Sequence, residues 1–256
     1  MVSFYKPPVF DIEALDEDVL WNSFMISPLL HFRSNLPPAE RRNLDSSQIL
    51  TCVIRGFSST MKVPGLTLAS PHIPANTTSL LTIISRQSSR RAGTRFNSRG
   101  IDDNGNVANF VETEIVLWVP SGITFSFVQV RGSLPIFWEQ TPGLLPGQQR
   151  IEVTRSTDAT QHAFDKHFDF LGSEYGVVHV VNLLNEDKPG EAELSMKFRK
   201  HIARCPLKLH AASGKEPASS RLQLTEYDFH AESRGPQGFG ASAQLKHTLS
   251  RSIHEF

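Results

Sequence analysis

The spacing of apolar positions changes midway along the chain. Between residues 17 and 34, Val19, Leu20, Phe24, Leu29 and Leu30 recur at loosely helical spacing, and Pro28 predicts a kink or an end to that helix. Pro37-Pro38 breaks the next segment, and 49–57 reads as a buried strand. Pro64, Gly65, Pro71 and Pro74, followed by Asn76-Thr77-Thr78, form the most linker-like stretch and divide residues 1–75 from 76–256. Beyond it, 80–86, 93–96, 108–119 and 124–130 read as strands of an antiparallel meander. Asp103-Asn104-Gly105 supplies the positive φ of a tight hairpin turn.

The second half has a different period. Ala163, Phe164, His167, Phe168 and Leu171 share one face of a helix that Gly172 or Gly176 ends, and 177–184 reads as a buried strand. Pro189 and Gly190 open a further helix with Leu194, Phe198 and Ile202 on its apolar side. Leu222, Leu224, Tyr227 and Phe229 predict a strand, and Leu245, Leu249, Ile253 and Phe256 an amphipathic helix. The whole predicts a mixed α/β (α+β) fold, an antiparallel β meander joined to an α/β layer.

Composition narrows the partners. The 256 residues are 39% apolar, enough to bury a core, and 26 basic residues balance 26 acidic ones. That balance argues against a nucleic-acid binder, so any anion recognition is local. MVSFYKPPVF lacks a basic region followed by an apolar one, and no apolar run approaches the ~20 residues of a membrane span. Two widely separated cysteines fit a reducing compartment, so the expected location is cytoplasmic.

The candidate chemistry is an arginine run. Arg86, Arg90, Arg91, Arg95 and Arg99 occur with no acidic residue among them. Guanidinium forks match phosphate oxygens, so several near one turn suit a phosphorylated ligand. Pattern alone slightly favours a plainer reading, a solvated strand face whose arginines pair with Asp102, Asp103, Glu112 and Glu114; strand alternation puts Arg91 and Arg95 on one face and Arg90 on the other. Gly93 and Gly100 flank the run. Glu112 and Glu114 share a strand face and read as orienting the arginines, and Asn109 as holding a loop. Arg131, at a strand end before Gly132, is an anion-contact candidate, whereas Trp138 reads as core packing. No histidine spacing makes a metal site, and Cys205 lacks a helix N-terminus to activate it.

Three blocks, Arg-Ala-Gly-Thr-Arg-Phe (91–96), Asn-Gly-Asn-Val-Ala-Asn-Phe-Val-Glu-Thr-Glu (104–114) and Val-Arg-Gly-Ser-Leu-Pro-Ile-Phe-Trp-Glu-Gln (130–140), resemble the Sac phosphoinositide phosphatases, in particular the Sac module of synaptojanin-like inositol polyphosphate phosphatases. The resemblance runs from Leu20-Trp21-Asn22 to Asp228-Phe229-His230. It implies removal of phosphate from inositol lipids at the cytosolic membrane face, peripheral contact with that membrane, and neither metal nor cofactor. It implies Arg91, Arg95, Arg99 and Arg131 as substrate-side cations, with Arg90, Asn109, Glu112 and Glu114 in support. Sac enzymes use a Cys-x5-Arg loop whose thiolate attacks phosphorus. Here Ser58 stands six residues after Cys52 and Ala211 six after Cys205, so no catalytic residue is assigned. The expectation is an incomplete Sac fold cut on both sides, with 1–75 ending the N-terminal subdomain and 76–256 beginning the catalytic one. The alternative is a non-catalytic phosphoinositide-binding or interaction module.

Overall fold

The computed structural model describes residues 16–64, 78–93, 98–120, 122–142, 149–209, 221–234 and 238–250. The fold is mixed α/β with an antiparallel sheet, as the residue pattern implies. It divides into two compact units: Met1–Ala92 with Asn109–Gly132, and Gly93–Ala108 with Ser133–Phe256.

The first unit opens with a 3-10 turn, Glu17–Val19, whose N-terminus Asp16 caps by accepting the Asp18 N–H at 2.8 Å. Helix α1 (Ser23–Ser34) contains Pro28 without ending at it. The inward residues of α1 are Ile26, which packs with Leu20, Leu30, Leu50 and Cys52, and Arg33. Phe24, one of the helically spaced apolar positions, is 92% exposed. Buried Arg33 grips Asp45 with two parallel bonds of 2.7 and 3.0 Å, tying α1 to α2 (Pro38–Ser46) and holding the Asp45 carboxyl below its ordinary pKa, chiefly through that hydrogen bond.

Of the strand expected over 49–57 only Gly56 and Phe57 form one, as the start of a longer strand; 49–55 is irregular, and Ile49 is 65% exposed. The Asn22 side chain satisfies its backbone where a ladder otherwise would: the amide donates to the Thr51 carbonyl at 2.8 Å and accepts from the Val53 N–H at 2.9 Å. The ladder begins at β1 (Gly56–Pro64), followed by β2 (Thr78–Gln87), β3 (Val111–Trp118) and β4 (Thr124–Arg131), paired antiparallel in that order. β1 and β2 pair from Gly56↔Arg86 to Pro64↔Thr78, so the expected division after residue 75 falls between two strands of one sheet. Proline and glycine punctuate a strand connection as readily as a domain linker. β3 starts at Val111, not residue 108, because Asn109 takes φ +56°, a left-handed conformation that asparagine tolerates and a strand does not.

In the second unit, β5 (Trp138–Pro142) and β6 (Gln149–Val153) form a hairpin that the residue pattern did not predict. Helix α3 (Thr157–Tyr175) is capped by Ser156 and ends at Gly176, φ +77°. Strands β7 (Val178–Asn182) and β8 (Leu222–Glu226) pair in parallel, joined through α4 (Pro189–Arg204) and α5 (Pro206–Leu209). Phe164, Phe168 and Phe198 pack with ring centroids 4.8 to 6.5 Å apart and, with Leu194 and Ile202, fill the core between α3 and α4. Tyr227 and Phe229 fall beyond β8, since Asp228 caps α6 (Phe229–Ser233). The last helix, α7, covers Ser242–Thr248; Ile253 and Phe256 lie outside the described residues, as do positions 94–97 of the expected strand over 93–96. Among the described residues no helix is long and apolar enough to cross a membrane.

Candidate functional site

One end of the four-stranded sheet carries Arg86 and Arg131, with Arg90 and Arg91 just past the end of β2. Across it run the rows Gly56, Arg86, Glu112, Val130 and, next to it, Gln87, Val111, Arg131. Arg86 faces Glu112 directly and donates to it, and reaches Glu114 at 3.1 Å; the Ser126 hydroxyl donates to the other Glu114 oxygen at 2.8 Å. The two glutamates therefore serve Arg86, a cross-strand arrangement that stiffens the sheet. They pair with neither Arg90 nor Arg131.

Past Gln87 the chain leaves the ladder. Ser88 donates its N–H to the Phe110 carbonyl at 2.9 Å, and Ser89 bonds the Asp18 carbonyl through its N–H at 2.6 Å and its hydroxyl at 3.1 Å. Arg90 donates from Nε to the Asp18 carboxylate at 2.6 Å, and that bond, reinforced by the Asp18 charge, pushes the guanidinium pKa further up. Arg90 is thus engaged in anchoring the acidic turn. Arg91 adopts φ +44°, an uncommon conformation for a side chain with a Cβ and one that marks local strain. Arg131, at the end of β4, is exposed, and its guanidinium makes no hydrogen bond or ion pair among the described residues. Arg55, missed in the residue pattern because it stands alone in sequence, joins this end through β1: its guanidinium carbon lies 5.1 Å from the Trp21 ring centroid, and Trp21 Nε1 donates to the Gln87 carbonyl at 2.9 Å. Arg91, Asn109 and Arg131 therefore share one end of one sheet.

Arg99 belongs to the second unit. Its Nε donates to the Gln140 amide oxygen at 2.9 Å, and its guanidinium carbon sits 5.5 Å from the Trp138 ring centroid. The adjoining Gly100, φ +69°, donates to the Ser133 hydroxyl at 2.8 Å, and its carbonyl accepts from Ala108 at 2.9 Å. A Cβ at Gly100 would stand 2.5 Å from the Ile136 carbonyl oxygen, so only glycine fits. Arg99-Gly100 and Ser133-Leu134-Pro135 are thereby knitted into one substructure, although over thirty positions separate Gly100 from Ser133. Arg95 lies outside the described residues.

The turn after this substructure is built on Asp102, whose carboxylate accepts the Asn104 and Asn106 N–H groups, each at 2.9 Å. Arg155 pairs with Asp103, with its guanidinium carbon 3.7 Å from the Phe137 ring centroid. Its pKa is raised, mainly by the Asp103 hydrogen bond. Buried His167 lies 3.1 Å through Nδ1 from the Gly105 carbonyl, and burial lowers its pKa to about 4. Neither thiol is primed for attack: burial raises the Cys52 pKa and pushes Cys205 up to about 11.

Residues 4–234 match the family described as the SacI homology domain. The chain belongs to that family. It is 45% identical over 87% of its length to inositol-1,4,5-trisphosphate 5-phosphatase 1 of Schizosaccharomyces pombe, and 41% identical over 91% of its length to polyphosphatidylinositol phosphatase INP53 of Saccharomyces cerevisiae. It is also 41% identical over 68% of its length to human synaptojanin-1. These matches cover 18%, 19% and 10% of the respective relatives, so the chain spans less than a fifth of the curated proteins it matches.

Proposed function

We propose that this chain supplies part of a phosphoinositide phosphatase, and that Arg91 and Arg131 at the sheet end are cations that meet the anionic inositol headgroup of a membrane lipid; Arg95, and Arg99 in the second unit, are proposed separately as substrate-side cations. Two of the relatives carry names that specify phosphatases of inositol phosphates or phosphatidylinositol phosphates. The observation that carries the reading is Arg131: an exposed guanidinium at a sheet end, without a hydrogen bond or ion pair among the described residues, while the nearby glutamates are held by Arg86. Such a group is available to bind phosphate. Arg90, Asn109, Glu112 and Glu114 act at one remove, by shaping the turn and the strands that present the cations. The protein would work as a peripheral one at the cytosolic membrane face, on lipid and not nucleic acid.

The chain itself does no phosphoryl transfer in this reading, because neither Cys52 nor Cys205 has an arginine six residues on and both thiols have raised pKa values. The same observation supports a second reading, a phosphoinositide-binding module without catalysis. Vesicle sedimentation tests the shared element. The pair Arg91→Glu, Arg131→Glu weakens binding to phosphatidylinositol 4-phosphate vesicles by at least about tenfold, whereas Lys197→Glu, Lys200→Glu on α4 changes it little. Equal losses from both pairs would reduce the arginine end to diffuse charge.

A further inference from the structure

Residues 115–130, Ile-Val-Leu-Trp-Val-Pro-Ser-Gly-Ile-Thr-Phe-Ser-Phe-Val-Gln-Val, contain no charged side chain and are bounded by Glu114 and Arg131. They run through the later half of β3 and most of β4, and five of their apolar side chains are exposed, while Val119 is buried. Ile123, Phe125 and Phe127 are 48%, 49% and 41% exposed, and Trp118 and Val128 39% and 37%.

The register separates two faces. Phe125 and Phe127 stand on one, in rows with Leu117, Leu81 and Met61 and with Ile115 and Ile83; Trp118 and Val128 stand on the other, among Thr124, Ser126, Glu112 and Glu114 and with Lys62 in the row of Trp118. The Phe125 face is therefore the apolar one, and it is the face suited to contact with an apolar medium. Polarity is also graded along the strands. On the face of Phe125, the row Met61, Leu81, Leu117, Phe125 gives way to Phe57, Ser85, Thr113, Gln129 and then to Gln87, Val111, Arg131. Apolar, neutral polar, cationic is the order met on rising from the acyl layer of an anionic bilayer to its headgroups.

We propose that the β3–β4 hairpin dips into the lipid surface and that Arg131, on the same strand, meets the anionic headgroups. This deepens the proposed function and rests on its substrate being a membrane lipid. Six residues separate Phe125 from Arg131, about 20 Å along a strand, more than the ~5–10 Å depth of interfacial insertion. The strands therefore enter obliquely, with Trp118 at the boundary where indole rings prefer to sit.

Flotation of the full chain with phosphatidylcholine vesicles, with and without phosphatidylinositol 4-phosphate, tests the proposal. The double variant Ile123→Ser, Phe125→Ser loses roughly tenfold or more in binding to both compositions. Phe125→Leu retains it, which separates lost insertion from lost folding. Arg131→Gln keeps binding to neutral vesicles and loses the increment that the inositol lipid adds. Brominated phosphatidylcholine quenches the fluorescence that Trp118→Phe removes. Wild-type protein that ignores both vesicles, a double variant that binds like wild type, or an unquenched Trp118 would overturn the proposal. So would a dimer of this chain that the double variant dissolves without any change in vesicle binding. Neutral binding lost in the double variant, with no headgroup preference in the wild type, would keep the hairpin and sink the phosphoinositide reading.

Discussion

Acid should unfold the second unit in a way that traces to His167. The imidazole packs against Phe168, is almost fully buried, and lies 3.1 Å through Nδ1 from the Gly105 carbonyl. Burial lowers its pKa from 6.5 to about 4. A group whose folded pKa is depressed binds its proton more readily when unfolded, so the unfolded chain gains protons first as pH falls. The contribution is intact above about pH 6.5 and is lost as pH drops toward 4. A shift of about 2.5 units corresponds to roughly 3.4 kcal/mol in full, of which about 2 kcal/mol has gone by about pH 5. Buried His201, its pKa also lowered to about 4, chiefly by burial, adds to the same slope. Urea titrations at about pH 7.5 and about pH 5, followed by tryptophan fluorescence, measure the loss. His167→Gln lowers stability at neutral pH by removing ring packing, but flattens the pH dependence by roughly half. A variant that is weaker yet has the full wild-type slope would show that His167 does not titrate on unfolding and that the reasoning is wrong.

Other outcomes follow from the same geometry. Gly100→Ala should cost roughly 2–4 kcal/mol, read as a lower urea midpoint, since the new Cβ meets the Ile136 carbonyl at 2.5 Å in a left-handed conformation; an unchanged midpoint would contradict the packing. Arg86→Met leaves Glu112 and Glu114 half-buried without their shared cation and should cost roughly 1–2 kcal/mol, most of it regained in Arg86→Met, Glu112→Gln, Glu114→Gln. Native protein treated with iodoacetamide near neutral pH should leave Cys205 unmodified until urea unfolds the chain. Purified chain should release no phosphate from phosphatidylinositol 4-phosphate vesicles, and turnover abolished by Cys52→Ser or Cys205→Ser would overturn that expectation.

Legibility in the sequence tracked how local each determinant is. α3 and α4 were readable because Phe164, Phe168, Leu194, Phe198 and Ile202 recur at helical spacing and terminal signals are in place: Gly176 ends α3 and Pro189 opens α4. β2, β3 and β4 were readable from apolar runs between turn residues. The segment 49–55 was not, because Ile49, Val53 and Ile54 are exposed, only Leu50 and Cys52 pack inward, and its backbone is held by Asn22, a side chain nearly thirty positions away. Phe24 misled for a related reason: helical period reveals a stripe and not which way it faces. The β5–β6 hairpin was hidden by the proline and glycine between its strands. At the candidate site, composition showed the arginine run but not its division of labour. That Arg86 takes both glutamates and Arg90 takes Asp18 depends on strand register and a turn. The coupling of Gly100 to Ser133 depends on a contact between distant segments, which no local pattern encodes.

The arginine end of the sheet is tested most directly without a membrane. In a chain carrying 15N-labelled arginine, titration with inositol 1,4-bisphosphate should shift the Nε–Hε resonances of Arg91 and Arg131 together and saturably. Those of Arg199 and Arg204, held by Glu226 and Asp158 in the second unit, should stay in place. Shifts spread evenly over all arginines, or confined to Arg199 and Arg204, would contradict a headgroup site at this end of the sheet.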